Sequence, residues 1–341
     1  MKCEHSCPSN GSDNLPKFNR RAWLLGAGAT AAGLAGAGLA NRWLHPPAPV
    51  FIARNQRYSG PLAGTIREGL LSVGFDPSRV HGRRVFLKPN LVEPSREAPH
   101  IVTHPAVVLA AVEVFRAWGA EVAVGEAPGH VRDTEQALVE SGLGEALRGE
   151  RVEFVDLNYA EVRRVPNRGR LSELAEFQFP AAVAAADLIV SMPKLKCHHW
   201  VGVTASMKNL YGTLPGLAYG WPKNVLHFAG IPQTVVDINA SLPERIAIVD
   251  GILCMEGDGP IMGTSKPMGL LAVGTNPTAL DATLARIIGL DPARVPYLML
   301  ADGRLGPIDP GRIPQRGERW EELVDPFAIL DKPHLQIMRA G

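Results

Sequence analysis

The sequence predicts an α/β fold built on a mostly parallel sheet, with helices on both faces in three layers. Three observations predict it. After about residue 50, short apolar runs alternate with longer amphipathic stretches, the pattern of strands crossing over through helices. The runs are apolar almost without interruption, as strands buried on both faces require. Polar clusters then follow the runs, at the places where strands of a parallel sheet end and loops diverge.

The chain begins with an address rather than with the fold. Asn19-Arg20-Arg21-Ala22-Trp23-Leu24-Leu25 places paired arginines before a weakly apolar Gly/Ala run from Ala22 to Ala40. That is the layout of a twin-arginine export signal over residues 1–40, read by the twin-arginine translocase, which carries folded proteins out of the cytoplasm. A periplasmic or otherwise extracytoplasmic destination follows. Gly38-Leu39-Ala40 offers small residues for cleavage, and an uncleaved signal would leave an N-terminal membrane tether. Five glycines make the run a poor spanning helix. Gly26-Ala27-Gly28 imitates a dinucleotide fingerprint, but no strand precedes it and the third glycine is missing.

A Pro-rich linker over residues 41–50, with His45-Pro46-Pro47-Ala48-Pro49, then leads into one α/β domain over residues 51–341. Arg84 to Leu87 is a buried strand. Thr103-His104-Pro105 opens a helix that runs through Trp118 and ends at Gly119. Glu121 to Val124 is the next strand, and Asp133 to Ser141 a helix closed by Gly142. Val152 to Val155 and Asp187 to Val190 are further strands. Pro232 starts a helix that leads into the strand Arg245 to Val249. Leu270 to Val273 precedes a helix capped by Asn276, with Pro277 at its first turn and Gly289 at its end.

Composition narrows the partners. Lys and Arg number 35 and Asp and Glu 34, so there is no electrostatic case for nucleic acid. Of the four cysteines, Cys3 and Cys7 lie in the leader; Cys197 and Cys254 remain and could pair in an oxidising compartment. Neither belongs to a C-x-x-C repeat that would ligate an iron–sulfur cluster. His198 and His199 are adjacent and point to opposite faces of a strand, so they make a poor chelate. Cys197, His198, His227 and Cys254 are donor types that zinc takes, and no metal site is assigned. No motif specifies a cofactor, a P-loop or a nucleophile elbow.

Four polar clusters fall just after strand ends: Lys88-Pro89-Asn90, Gly125-Glu126, Pro193 to His199, and Asp250 followed by Glu256-Gly257-Asp258-Gly259-Pro260. The densest stretch runs from Pro193 to Lys223. Lys194 and Lys196 are two apart and share one face of an extended segment, and His198, Thr204, Lys208 and Asn209 follow, with apolar residues between them that enclose the charge. Lysines supply point charges for a phosphate or carboxylate, or an amine whose pKa falls on burial; histidine moves protons near neutrality. Three readings of the Glu256 loop stand side by side: a hard-cation site, a partner for the central lysines, or a turn. Asp281 lies one turn into its helix, where the dipole alone favours a carboxylate.

These motifs, taken in order with Lys88-Pro89-Asn90-Leu91, Pro193-Lys194-Leu195-Lys196, His198, Thr204, Met207-Lys208-Asn209, Gly212, Asp250 and Glu256 to Pro260, resemble the family catalogued as domain of unknown function 362 over about residues 52–300. Members of that family are often described as iron–sulfur centre proteins because many carry an appended ferredoxin module. This sequence has no such module, so the resemblance implies a separate iron–sulfur partner at most. The key positions it implies are Lys88, Asn90, Lys194, Lys196, His198, Lys208, Asn209, Asp250, Glu256 and Asp281.

The expected function is an exported enzyme that binds a small anionic ligand in a Lys/His-rich pocket at the carboxyl edge of the sheet. Lys194, Lys196, His198 and Lys208 would carry the chemistry, and Lys88, Asn90, Asn209, Asp250 and Glu256 would bind the substrate. Two alternatives remain: a redox accessory protein working with a separate iron–sulfur protein, and a non-catalytic solute-binding protein. The site expectation is sharp, with Lys88, Lys194, Lys196, His198 and Lys208 converging on one pocket and Asp250 or Glu256 offsetting their charge.

Overall fold

Runs of apolar residues become strands here because each can bury both of its faces at once. The structure, a computed structural model, describes residues 46–130 and 133–340. The paired arginines and their apolar run lie outside the described residues. From Pro47 onward the chain forms one compact unit. Within the Pro-rich stretch, Ala48 is already buried and its amide donates to the Arg312 carbonyl at 3.1 Å.

The strands are β1 (Val50–Ala53), β2 (Arg84–Pro89), β3 (Glu121–Glu126), β4 (Glu153–Asp156), β5 (Val162–Pro166), β6 (Glu176–Pro180), β7 (Leu188–Met192), β8 (Lys194–His198), β9 (Gly202–Thr204), β10 (Arg245–Glu256), β11 (Thr264–Gly274) and β12 (Gln315–Gly317). Ten form one sheet, in the order β12-β1-β11-β10-β7-β2-β3-β4, with β8 on the far half of β10 and β9 on β8; β5 and β6 make a separate hairpin. The run β10-β7-β2-β3-β4 is parallel throughout. β11 is antiparallel to both of its neighbours. The α/β class and the mostly parallel sheet are as the sequence predicts.

Alternation along the strands sorts the core onto two sides. Val85 and Leu87 of β2 join the apolar cluster on one face and Phe86 the cluster on the other. The first face is covered by α1 (Leu62–Ser72), α2 (Pro105–Ala117), α3 (Thr134–Ser141) and α4 (Leu143–Gly149). The second is covered by α5 (Ser206–Asn209), α6 (Ile231–Ser241), α7 (Pro277–Ile287) and α8 (Pro296–Ala301). The Asn276 cap and the Gly142 stop expected from sequence form, with Asn276 accepting from Ala279 N and Gly142 closing α3 in the left-handed conformation, and Asp133, expected as the helix's first residue, is its cap and accepts from Gln136 N.

Two differences bear on the site. β10 does not stop at Val249 but runs to Glu256, where it turns back into β11 with Glu256 opposite Thr264. The Glu256 to Pro260 loop is therefore the turn of a long hairpin. Lys194 to His198, expected as an extended polar segment after a strand end, is itself a strand of the sheet, leaving the main path after β7 and pairing with the far half of β10. Register then aligns the strand ends: Leu87 lies opposite both Val124 and Val190, Lys88 opposite Ser191, and Asp250 opposite Lys194.

Candidate functional site

Lys88 ends β2 fully buried, its Nζ donating to the Pro89 carbonyl at 2.8 Å and to Asn209 Oδ1 at 2.9 Å. It also pairs with the buried Glu126 carboxylate at the end of β3. Burial favours the neutral form of both partners, lowering the lysine and raising the acid, while their mutual attraction opposes each shift. A lysine can only donate, so the Asn209 oxygen must face Lys88. The Asn209 amide nitrogen then donates to Lys88 O at 3.0 Å and Ser191 Oγ at 3.1 Å. Asn90 Nδ2 donates to the same Asn209 oxygen at 3.2 Å, which leaves Asn90 Oδ1 buried without a protein donor. Thr103 fixes this corner, its hydroxyl donating to Met192 O at 2.6 Å and accepting from Asn90 N at 2.9 Å.

β8 supplies Lys196 and His198. Lys196 is wholly buried and donates to the carbonyls of Ile101 at 2.8 Å and Pro260 at 3.1 Å, with no carboxylate bonded to it. Burial, then Lys194, Lys208 and Lys88, push its pKa well down. Opposite it on β9 stands Thr204, whose buried hydroxyl oxygen also has no partner. His198 Nδ1 accepts from Trp200 N at 3.2 Å, so the neutral ring carries its proton on Nε2. Burial and the surrounding cations hold its pKa well below the usual range.

α5 presents Lys208 and Asn209. Its first two amides, Ser206 N at 2.7 Å and Met207 N at 3.0 Å, donate to the Asp281 carboxylate on α7, and Tyr297 OH adds a third bond at 3.1 Å. Asp281 thus caps the neighbouring turn that carries the site, rather than merely sitting at the start of its own helix. Burial pushes its pKa up to about 6. Lys208 Nζ rests 3.9 Å from the centre of the Tyr211 ring, and burial with the nearby Lys88 brings its pKa down to about 7.

Lys88, Asn90, Lys196, His198, Lys208 and Asn209 line one pocket, joined by Lys223 and His227. About 90 Å³ of it admits the centre of a water-sized sphere, room for several waters or one small anion. Lys223 holds a left-handed backbone conformation (φ 71°) and donates to Asn158 Oδ1 at 3.2 Å. Burial pulls its pKa to about 7 and, with Lys208, pulls that of His227 to about 4. The residues that line the pocket include no Asp or Glu; Glu126 stands behind Lys88.

Three of the expected residues are elsewhere. Lys194 makes a buried ion pair with Asp250 at 2.6 Å and accompanies it with Tyr58 OH at 2.8 Å. Asp250 also accepts from His104 N at 3.0 Å and Ile252 N at 3.2 Å, so it is saturated away from the pocket. Glu256 accepts from Ala328 N at 2.8 Å and pairs with Lys266 at 3.5 Å, not with the central lysines. Asp250 meets the lysine directly opposite it in register, and Glu256 the Lys266 that stands opposite Cys254 on the other arm of its hairpin. Conversely, Glu126, Lys223 and His227 belong with the pocket; in the sequence Glu126 follows a strand end, Lys223 closes the Pro193–Lys223 stretch and His227 lies four residues beyond it.

Cys197 and Cys254 are both buried free thiols, unpaired in the structure, and burial raises the pKa of each, that of Cys197 to about 12. Among the described residues no group of three or more His, Cys, Asp or Glu is arranged to hold a metal ion.

The model of the family described as Domain of unknown function (DUF362) matches residues 85–286, a span that contains every residue lining the pocket. Thylakoid-associated protein sll1697 of Synechocystis sp. is 33% identical over 266 residues, covering 75% of this chain and 79% of that protein. Among solved structures, the lactate racemase apoprotein from Thermoanaerobacterium thermosaccharolyticum superposes with a TM-score of 0.47 at 10% identity, covering 71% of this chain. The chain spans 57% of that structure's length.

Proposed function

The chain belongs to the DUF362 family, and we propose that it is an enzyme whose Lys/His pocket holds a small anionic substrate and moves a proton on it. The observation that carries this reading is an imbalance of charge: Lys196 and Lys208 face the pocket without a bonded carboxylate, while Lys88 alone has Glu126. Cations gathered at short range repel unless an anion balances them. Asn90 Oδ1 and Thr204 Oγ1, buried and unmet, add an acceptor and a hydroxyl for the same ligand. Lys208, with a pKa of about 7, is the group suited to proton transfer near neutrality, and the neutral His198 offers its Nε2–H as a hydrogen-bond donor.

Thermal unfolding with inorganic phosphate and a panel of small mono- and dicarboxylates tests the binding step. A ligand at a hundredfold excess over its Kd should add about 2.7 kcal/mol of stability. Lys208→Met and Lys196→Ala should abolish that gain while the proteins remain folded; an undiminished gain in both variants would place the anion elsewhere. Turnover of a stabilising acid then separates the enzyme from a non-catalytic solute-binding protein, for which the same pocket would serve. We also propose that Arg20-Arg21 directs folded export through the twin-arginine translocase. Arg20→Lys with Arg21→Lys should then keep the protein in the cytoplasm.

A further inference from the structure

Lys208 differs from the other lysines of the site in having no hydrogen-bond or ion-pair partner among the described residues. Lys88 is held by Glu126 and Asn209, Lys194 by Asp250 and Tyr58, Lys196 by two carbonyls and Lys223 by Asn158. Lys208 Nζ has only the face of Tyr211 beneath it. Its backbone is nevertheless fixed, because Asp281 holds the two amides that begin its turn. An amine left free at the end of a fixed arm, among cations that disfavour its protonation, has the arrangement of a nucleophile rather than of a structural charge.

We propose that Lys208 forms an imine with the carbonyl carbon of a small 2-oxo acid whose carboxylate rests on Lys196 and Thr204. This deepens the anion-binding reading and rests on it. Lys196 and Thr204 face one another in register across β8 and β9, so an ammonium and an unmet hydroxyl point to the same place. The lone pair of the neutral Nζ attacks the carbonyl carbon, and the C=O π pair passes to oxygen, which takes the first proton shed by the attacking nitrogen. His198 Nε2–H is a donor for that oxygen, and Asn90 Oδ1 is an acceptor for the resulting hydroxyl. The second nitrogen proton passes to the hydroxyl, the C–O bond breaks, and water leaves as the C=N bond forms. One water is released, and no oxidant or reductant is consumed. At neutral pH a large share of Lys208 is already unprotonated, as the first step requires.

The full chain is incubated separately with glyoxylate, pyruvate and oxaloacetate in the presence of sodium cyanoborohydride, and the reduced adduct is located by intact-mass and peptide mass spectrometry. One adduct per chain is expected with at least one acid, on the peptide that carries Lys208. Lys208→Arg and Lys208→Met should lose it, and Lys196→Ala should slow it about tenfold, the worth of one charged hydrogen bond. The proposal is overturned if none of the three acids labels that peptide, or if labelling is spread over many lysines and persists in Lys208→Met. Thermal unfolding of the same samples with phosphate separates the two readings. Stabilisation without an adduct removes the imine and leaves the anion site, whereas neither stabilisation nor an adduct removes both.

Discussion

Lys88 and Glu126 form a buried ion pair across the carboxyl ends of the neighbouring parallel strands β2 and β3, and Gly212 lies directly against both side chains. A Cβ at residue 212 would collide with the Glu126 carboxylate and stand 2.5 Å from Lys88 Nζ and 2.7 Å from its Cε. Gly212→Ala must therefore displace the pair. Overpacking of this kind costs about 1–3 kcal/mol, and separating a buried pair adds to it. Chemical denaturation should show a loss of at least about 2 kcal/mol with unchanged m-value. A loss below half a kcal/mol would mean that the pair tolerates the methyl by moving.

Lys194 belongs to the frame and not to the pocket. Lys194→Met should cost about 3–5 kcal/mol, because it strands Asp250 in the interior. Adding Asp250→Asn should recover part of that loss. The folded fraction of either variant should still be stabilised by the pocket anion; loss of anion binding in a folded Lys194→Met protein would return Lys194 to the site.

Asp281 titrates unusually because its carboxylate is buried, with a pKa raised to about 6 from 3.8. The folded state then holds a proton that the unfolded state releases, so this group's contribution to stability is fully present below about pH 4. It is lost as pH rises to 6, a swing of about 3 kcal/mol. Asp281→Asn removes that slope. Comparing denaturation midpoints of wild type and variant at several pH values from 4 to 7 should show the difference between them changing across the window and flat above it.

Anion binding should be linked to protons through Lys208 and Lys223. Burial lowers both to about 7, so each is largely neutral in the empty pocket at pH 8, and a bound anion restores the charge. Calorimetry with phosphate in buffers of different ionisation enthalpy should detect proton uptake at pH 8, with affinity falling up to about tenfold per pH unit above 7 for each proton taken up. In the empty protein the same two lysines cost most stability below pH 7 and progressively less as pH rises towards 10.5. Lys208→Met should flatten both dependences.

Much of the architecture was legible in the chain alone. Apolar runs bounded by caps at Asp133 and Asn276 identify strands and helices because those signals act over a few residues. The same locality let the polar clusters mark the carboxyl edge of the sheet, and the Pro193–Lys223 stretch mark the wall of the site. β11 as an antiparallel strand, the extension of β10 and the pairing of Lys194 to His198 with β10 were not legible, since each depends on distant chain.

Which charge meets which was decided only by the tertiary structure. Lys194 and Lys196 share a face, yet register sets one against Asp250 and leaves the other between the Ile101 and Pro260 carbonyls and the pocket. Glu126 reaches Lys88 because β2 and β3 end side by side, and Glu256 turns to Lys266 because β10 folds back on itself. The sequence by itself determined the classes of element and the presence of a cationic wall, because propensity and periodicity are local. The partners of buried charges are set by strand register and helix crossing, and those arise only when distant segments exclude water from one another.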